Sequence, residues 1–279
     1  MDRQAGPKLR KQPATLRHLE AARGLLDLSG RRGRATWATL LLGFFFLLRV
    51  SNIAGRTQSS YDEDYVLLRR DVTFFDRVGK PMDLTEASLP LVDGMEIRVK
   101  RSKTDQEGVG YRRHLFLSNR VEMCVVRAVA HHLLESSDLP AAWPVGAYDG
   151  RHGVLRGERA RTVVSRGDIS DLLKTAGVQV GDAPSNLGTH SLRIGGATAL
   201  HALGVPDAWI MFMGFWKSKA YLLYCRPTEA VPRNIAALMA SCPVEVYHDQ
   251  LRLPTSSSRA YTPWGGNWSR RIVGVSIKL

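Results

Sequence analysis

The chain has 279 residues, with 39 Lys and Arg against 26 Asp and Glu, a net charge of +13 and a sequence pI near 10.0. Its hydrophobic content of 44% is that of an ordinary globular protein, which excludes a disordered or fibrous chain. The positive charge indicates a polyanionic partner such as nucleic acid, with binding that depends strongly on salt.

Cysteine content and the longest apolar run bear on the cellular compartment. Cys124, Cys225 and Cys242 form an odd count without a close pairing motif, which argues against a disulfide framework and a structural zinc site. The apolar run from Trp37 to Leu48 is too short to span a bilayer, and no cleavable signal peptide is evident. We therefore expect an intracellular protein with no membrane partner.

The predicted elements are mostly helical, with a small sheet near the middle of the chain. Helices are predicted over Leu16–Leu28, Ala35–Ala54, Val121–Leu134, Ser165–Ala176, from His190 onward, and over Pro206–Met213. Strands are predicted over Asp71–Phe75, Met95–Arg101 and Tyr111–Leu117, with a turn at 102–110 and a loop over Leu139–Arg156. The pattern predicts a mainly α domain with a small three-stranded antiparallel sheet (α+β) over 15–241, a basic arm at 1–14 and a tail of unknown role at 242–279.

His190 and Arg193 form the first group of chemically competent side chains. They share one face of a helix for which Thr189 is a good N-cap. A helix start offers backbone N–H groups to a phosphate, an arginine binds two phosphate oxygens, and a histidine exchanges protons near neutral pH. With 8 histidines in the chain, about one such pair is expected by chance, so the pair alone is a weak signal. Gly195 and Gly196 predict that another backbone packs closely against this helix.

Further candidates lie downstream and upstream, and each also has a purely structural interpretation. Trp216 is equally consistent with a core position, and Tyr221 and Tyr224 are spaced like a packing stripe. Arg49 ends the apolar run, where it could simply extend its charged end to solvent. Lys103 lies in a predicted turn, where solvated lysines are common.

The order of these residues resembles that of the tyrosine recombinases, the phage-integrase superfamily. The stretch from Thr189 to Pro227 is similar to the family's catalytic end, which runs His-x-x-Arg, Gly-x-Trp and then a nucleophilic tyrosine. Tyr224 has the family's spacing from Trp216, whereas Tyr221 does not. The resemblance covers most of the chain from near Leu25.

Two upstream motifs extend the resemblance. Leu47-Leu-Arg49-Val-Ser-Asn-Ile resembles the family's first arginine box, and Val99-Lys-Arg-Ser-Lys103-Thr-Asp-Gln-Glu-Gly resembles the β-hairpin that carries its lysine. The Ser-Lys-Thr-Asp-Gln-x-Gly run and the later Cys124-Val-Val-Arg-Ala are similar to recombinases of Crypton and DIRS-type mobile elements. Five motifs in one order make a strong signal where each alone would be weak.

The resemblance implies an enzyme that cuts and rejoins DNA through a 3′-phosphotyrosyl intermediate, without metal, ATP or any other cofactor. The catalytic residues that it implies are Arg49, Lys103, His190, Arg193, Trp216 and Tyr224. In these roles the tyrosine attacks the phosphate, the two arginines stabilise its oxygens, and the lysine protonates the leaving 5′-oxygen. The histidine handles the tyrosine proton or donates to the phosphate, and the tryptophan donates its indole N–H or supports the site.

The resemblance further implies double-stranded DNA as the partner, a tetramer on two DNA sites, and a nuclear location in a eukaryotic host. Segment 229–241 is the candidate for a helix exchanged between protomers, and the chain is expected to lack the family's N-terminal core-binding domain. Asn52 stands where many members carry a carboxylate, and Phe215 where Arg or His is common. Two alternatives stay open: a catalytically silent DNA-binding module derived from such a recombinase, and a type IB topoisomerase-like enzyme.

Overall fold

The computed structural model describes residues 11–101, 108, 110–149 and 161–223, all within the first of the two units into which the chain divides, Met1–Thr228. The described helices are α1 (Leu16–Gly24), α2 (Arg31–Phe45), α3 (Val50–Ile53), α4 (Val125–Glu135), α5 (Arg166–Gln179), α6 (His190–Ala202) and α7 (Asp207–Gly214). The described strands are β1 (Val72–Phe75), β2 (Pro81–Met82), β3 (Gly94–Val99), β4 (Tyr111–Phe116), β5 (Ala147–Asp149) and β6 (Arg161–Val163). The predicted α+β class is confirmed.

Helix α2 forms the centre of the core because its sequence is apolar around the whole helix. Every residue from Ala35 to Phe44 is buried, and a helix that is apolar on all sides is stable only in the protein interior. It packs against α4, α5, α6 and β5. The core therefore connects the helix that carries His190 to the rest of the fold.

The prediction of one helix over Ala35–Ala54 is wrong, because the chain breaks between α2 and α3. Leu47 adopts a left-handed conformation with φ of 52°, which costs about 1–2 kcal/mol for a residue with a side chain. Tertiary contacts compensate for this cost: Leu47 is buried against Ala197, Ile210 and Tyr221. The break makes Arg49 the N-cap of α3 instead of an interior helical residue.

The main sheet is antiparallel with the strand order β2-β1-β3-β4. The three predicted strands are confirmed, and a fourth, the two-residue strand Pro81–Met82, joins the edge of the sheet. A strand this short that begins with proline carries no alternation, so the sequence could not reveal it. Met95, Ile97 and Val99 point into the main core, so alternate residues of β3 face outward.

The predicted loop over Leu139–Arg156 is partly wrong, because it contains β5. Strands β5 and β6 pair in antiparallel register, with Tyr148 opposite Thr162. Trp143 and Ala147 are buried in a small apolar cluster with Leu139 and Val163. This burial, which depends on distant residues, overrides the local turn signals.

The remaining predicted helices are present with shifted ends. Helix α1 ends at Gly24, short of the predicted Leu28, and α4 begins at Val125 after a short 3-10 turn. Helix α5 begins as predicted at a capping box, in which Ser165 and Asp168 each accept a backbone N–H of the other. No helix in the described part of the chain combines the length and apolar character needed to cross a membrane.

Candidate active site

Helix α6 fits against its neighbours only because two of its residues have no side chain. A Cβ at Gly195 would lie 2.0 Å from the carbonyl oxygen of Ala14, and one at Gly196 would lie 2.1 Å from that of Phe44. The backbone of Ala14 also donates to the carbonyl of Ser191 at 2.9 Å. The predicted close approach of another backbone is confirmed, and two segments hold α6 in place.

Arg193 is buried at the junction of three chain segments, with 3% of its surface exposed. Its Nη1 donates to the carbonyl of Leu47, and its Nη2 donates to the carbonyl of Gly214 at 2.5 Å. Its Cζ lies 4.1 Å from the centroid of the Trp216 ring. The guanidinium therefore links the break after α2, helix α6 and the end of α7, and its orientation is set by these contacts.

The Gly-Phe-Trp segment folds the indole back onto the end of α7. Phe215 is left-handed, with φ of 52°, and the amide of Trp216 donates to the carbonyl of Met211 at 2.9 Å. A Cβ at Gly214 would lie 1.7 Å from Cζ3 of Trp216, so only glycine allows this fold. The glycine in the motif is thus the steric condition for placing the indole against Arg193.

Trp216 both packs as a core residue and contacts a candidate catalytic arginine, the two interpretations that the sequence left open. Its half-buried ring packs against the small cluster around Leu47 and Tyr221, and it also stacks on Arg193. This arrangement favours the supporting role. Donation of its indole N–H to a phosphate stays a prediction.

Arg49 differs from Arg193 in its hydrogen bonding. Among the described residues, its Nη1 is buried and has no hydrogen-bond partner. A buried charged donor without an acceptor is costly, and native proteins satisfy nearly all such groups. This Nη1 donor is therefore available to an anionic ligand, whose oxygens an arginine binds strongly.

His190 begins α6 and lies close to both arginines. Its pKa is lowered below the usual value, first by partial burial and then by the positive charges of Arg193 and Arg49, although part of the residue stays open to solvent. The imidazole is therefore mostly neutral at pH 7 and able to accept a proton. Thr189 occupies the predicted N-cap position, but its side chain makes no capping hydrogen bond.

Lys103 lies outside the described residues, but the base of its hairpin is described. Asn52 donates from Nδ2 to the carbonyls of Tyr65 and Arg101, both at 3.0 Å. Arg101 directly follows β3 and precedes the segment with Lys103. Asn52, noted in the sequence as a departure from the family pattern, thus fastens the start of this hairpin.

Tyr224 also lies outside the described residues, whereas Tyr221 is fully buried. The Tyr221 hydroxyl donates to Oδ1 of Asp207, and Lys219 contacts Oδ2 of the same carboxylate at 2.8 Å. The Tyr221 ring lies 5.8 Å from that of Trp216. Tyr221 therefore has a packing role, and the assignment of Tyr224 as nucleophile stays a prediction.

Arg113 and Phe215 connect α7 to the sheet in a way that the sequence did not indicate. Arg113 is buried and donates from Nε to the carbonyl of Phe212 at 2.8 Å, and burial lowers its pKa to about 10. Phe215 stacks on Tyr111 with centroids 4.4 Å apart. The alternation of β4 would have placed Arg113 on the apolar face beside Tyr111, but nothing in the sequence named its acceptor.

The structure thus brings Arg49, His190, Arg193 and Trp216 together, and Lys103 and Tyr224 lie outside the residues it describes. No protein-family model and no curated protein sequence matches the chain.

The solved structures with a similar fold include two recombinases. The XerA recombinase is 15% identical with a TM-score of 0.50, over 87% of this chain and 68% of that one. The XerH site-specific recombinase, in a post-cleavage complex with its palindromic difH substrate, is 12% identical with a TM-score of 0.53. That similarity covers 86% of this chain, and the chain spans only 56% of XerH. The chain therefore has the fold of a tyrosine recombinase catalytic domain.

Proposed function

We propose that this chain is a DNA strand transferase of the tyrosine recombinase type, with Tyr224 as its nucleophile. One observation carries the proposal: the buried Nη1 of Arg49, without a partner among the described residues, lies in one site with His190 and the buried Arg193. Two guanidinium groups and a mostly neutral imidazole suit a phosphodiester better than any neutral ligand.

The proposed chemistry assigns each group one task. Neutral His190 accepts the phenolic proton as the Tyr224 oxygen attacks phosphorus. Arg49 and Arg193 stabilise the charge that grows on the non-bridging oxygens. The bond from phosphorus to the 5′-oxygen breaks, and Lys103 protonates that oxygen.

A 5′-hydroxyl of another strand then reverses the reaction. One phosphoester bond forms for each that breaks, so the cycle needs no nucleotide hydrolysis. Trp216 holds Arg193 in position, and Asn52 holds the hairpin that carries Lys103.

Double-stranded DNA as substrate is supported by the net charge of +13 and by the fold shared with a recombinase solved on its DNA site. A tetramer on two DNA sites, a nuclear location in a eukaryotic host, and kinship with Crypton or DIRS-type elements stay predictions from the sequence resemblance. Segment 229–241 lies outside the described residues, so its proposed exchange between protomers is likewise untested.

The test is covalent trapping on DNA. Purified protein is mixed with supercoiled plasmid and with a pool of random-sequence duplexes, quenched in SDS, and assayed for protein–DNA adducts. Tyr224→Phe should abolish the adduct and Tyr221→Phe should retain it, because Tyr221 is buried and bonded to Asp207. Arg49→Gln, which removes the guanidinium, should slow adduct formation by roughly a hundredfold or more.

The outcomes separate the alternatives. An adduct lost only in Tyr224→Phe supports the proposal, and exchange of strands between two duplexes distinguishes it from a type IB topoisomerase-like enzyme. Salt-sensitive DNA binding without any adduct overturns the catalytic proposal in favour of a silent DNA-binding module.

A further inference from the structure

Two arginines face each other on the outer surface of the sheet. Arg98 of β3 and Arg112 of β4 are directly opposite in the antiparallel register. Because Met95, Ile97 and Val99 point into the core, alternation places both arginines on the outward face, and both are exposed. Like charges directly opposite on a sheet destabilise it unless something else offsets their repulsion.

The groups around the pair do not neutralise both charges. Arg112 donates from Nη1 to Glu96 at 2.7 Å, and His114 lies 2.7 Å from the other oxygen of the same carboxylate. Arg98 has no hydrogen-bond or ion-pair partner within the described ranges. The carboxylate of Glu96 is thus shared by Arg112 and His114, and the positive charge of Arg98 is not neutralised by an ion pair within the described ranges.

Glu96 also fixes where one of these charges points. Although it belongs to the outward face, its side chain is only 9% exposed, because Arg112 and His114 cover it. The guanidinium of Arg112 is thereby oriented before any ligand arrives, while the guanidinium of Arg98 is left available. Pre-orientation lowers the entropy that an arginine loses on binding an anion.

The pair lies at the end of the sheet next to the candidate active site. Val99 and Tyr111 form the last pair of the β3–β4 ladder before the hairpin with Lys103, and Tyr111 stacks on Phe215 beside Trp216. Arg98 and Arg112 are one position further from the hairpin, on the face of the sheet opposite Tyr111. A duplex bound at the site reaches them by running along the end of the sheet at which the hairpin begins.

We propose that Arg98 and Arg112 form a phosphate-binding pair that holds the DNA backbone beside the cleavage site. This inference rests on the proposed function for its ligand, double-stranded DNA. Arginine side chains suit it because they bind phosphate oxygens in a fixed fork geometry, and such contacts position the duplex without reading its sequence.

The same sheet offers a matched control at its opposite end. Arg77 and Lys80 are exposed in the turn between β1 and β2, and Phe75 at that end pairs with Gly94, at the start of β3. Removing these two charges changes the net charge of the protein by the same amount as removing Arg98 and Arg112. The control pair lies at the other end of the sheet and contains one lysine, Lys80, in place of an arginine.

The experiment measures binding of the full chain to a random-sequence duplex as a function of salt. Glutamine replaces each cation, so that Arg112→Gln keeps a donor for Glu96. The slope of log affinity against log salt should become shallower by about 2 in Arg98→Gln/Arg112→Gln, with a loss of affinity of about tenfold or more near physiological salt. The Arg77→Gln/Lys80→Gln variant should keep the wild-type slope.

Equal effects of the two double variants would show that net charge alone matters and would overturn the inference. Thermal unfolding of all variants checks that the sheet is intact. Covalent adducts are scored separately on wild-type protein: a selective salt effect without adducts removes the catalytic proposal and keeps the phosphate-binding pair. Adduct formation by the wild type, together with unchanged DNA binding in Arg98→Gln/Arg112→Gln, keeps the catalytic proposal and removes the phosphate-binding pair.

Discussion

Helix α6 separates two regions that are held together by different forces. On one side, the core around α2 consists of closely packed apolar side chains. On the other, the described part of the region around α7 has a small cluster of buried residues, Leu47, Ala197, Ile210 and Tyr221. Polar contacts supplement this cluster, among them Arg193 to Gly214 and Arg113 to Phe212.

The difference indicates which region can move without unfolding the protein. Apolar packing spreads its stabilisation over many contacts, whereas a region joined by a few hydrogen bonds opens at lower free energy. The chain enters the segment with Tyr224 directly from this second region. We therefore expect substitutions in the α2 core to change global stability, and substitutions around α7 to change local opening and the rate of DNA cleavage.

The largest expected effect lies in the α2 core, at His132. It is 1% exposed, donates to the carbonyl of Val145 at 2.8 Å, and burial lowers its pKa from 6.5 to about 4. Between pH 6.5 and about 4, His132 binds a proton in the unfolded chain but not in the folded chain. The free energy of unfolding should therefore fall as pH drops through 6.5 towards 4, by about 3 kcal/mol in total from this group.

Urea unfolding between pH 4 and 7 measures this loss. His132→Gln keeps a donor for Val145 but does not titrate, so its stability should depend less steeply on pH than that of the wild type. Parallel curves for the two proteins would show that His132 is not responsible.

The next effect lies at the contact between α6 and α2. Gly196→Ala places a Cβ 2.1 Å from the carbonyl oxygen of Phe44, which forces the two helices apart. We expect a loss of about 2 kcal/mol in the free energy of unfolding by urea, without a change in the m-value. Gly24→Ala, whose Cβ meets nothing within 4 Å, is the control and should change stability little. Equal losses would contradict the close packing described for α6.

A smaller and more local effect is expected in the α7 region. Tyr221→Phe removes the hydrogen bond to Asp207 while keeping the ring, a change of about 1 kcal/mol. Amide hydrogen exchange over residues 215–223 should become faster, and adduct formation slower, with global unfolding almost unchanged. Tyr148→Phe, at a buried tyrosine of the other region, should leave exchange over 215–223 as in the wild type. Faster exchange throughout the protein would argue against two separately held regions.

The smallest effect concerns the pH dependence of the proposed reaction. Because its pKa is lowered, His190 takes up a proton at a lower pH than an ordinary histidine does, so adduct formation should also decline at a lower pH. Arg49→Gln removes one of the charges that lower this pKa, so the decline should move to higher pH. An unchanged profile in Arg49→Gln would mean that His190 and Arg49 do not interact as described.

The sequence predicted most of the helices and strands correctly, because in these segments the local sequence pattern matches the burial in the folded protein. The helix predicted from Ser165 and the strand predicted over Met95–Arg101 agree closely with α5 and β3. The break at Leu47 and the strand over Ala147–Asp149 were not predicted, because distant residues stabilise both.

For the site, the sequence indicated the reacting residue types and the close approach at Gly195 and Gly196. It did not indicate that Tyr221 bonds to Asp207, that Arg113 donates to the carbonyl of Phe212, or that Asn52 fastens the start of the hairpin. Each of these contacts joins residues far apart in the chain or on the inward face of a strand. Hydrogen-bond partners of this kind have no sequence spacing that a pattern could reveal.

By itself, the sequence determined the class of fold, the basic character and the order of the candidate residues, since these depend on composition and local periodicity. Only the tertiary structure decided that Arg193 is held by backbone carbonyls and Trp216 while the buried Nη1 of Arg49 has no partner in the part of the chain that the structure describes. The two side chains are chemically the same. Their roles differ because the left-handed turn at Leu47 presents a carbonyl to Arg193 and places Arg49 at the start of α3.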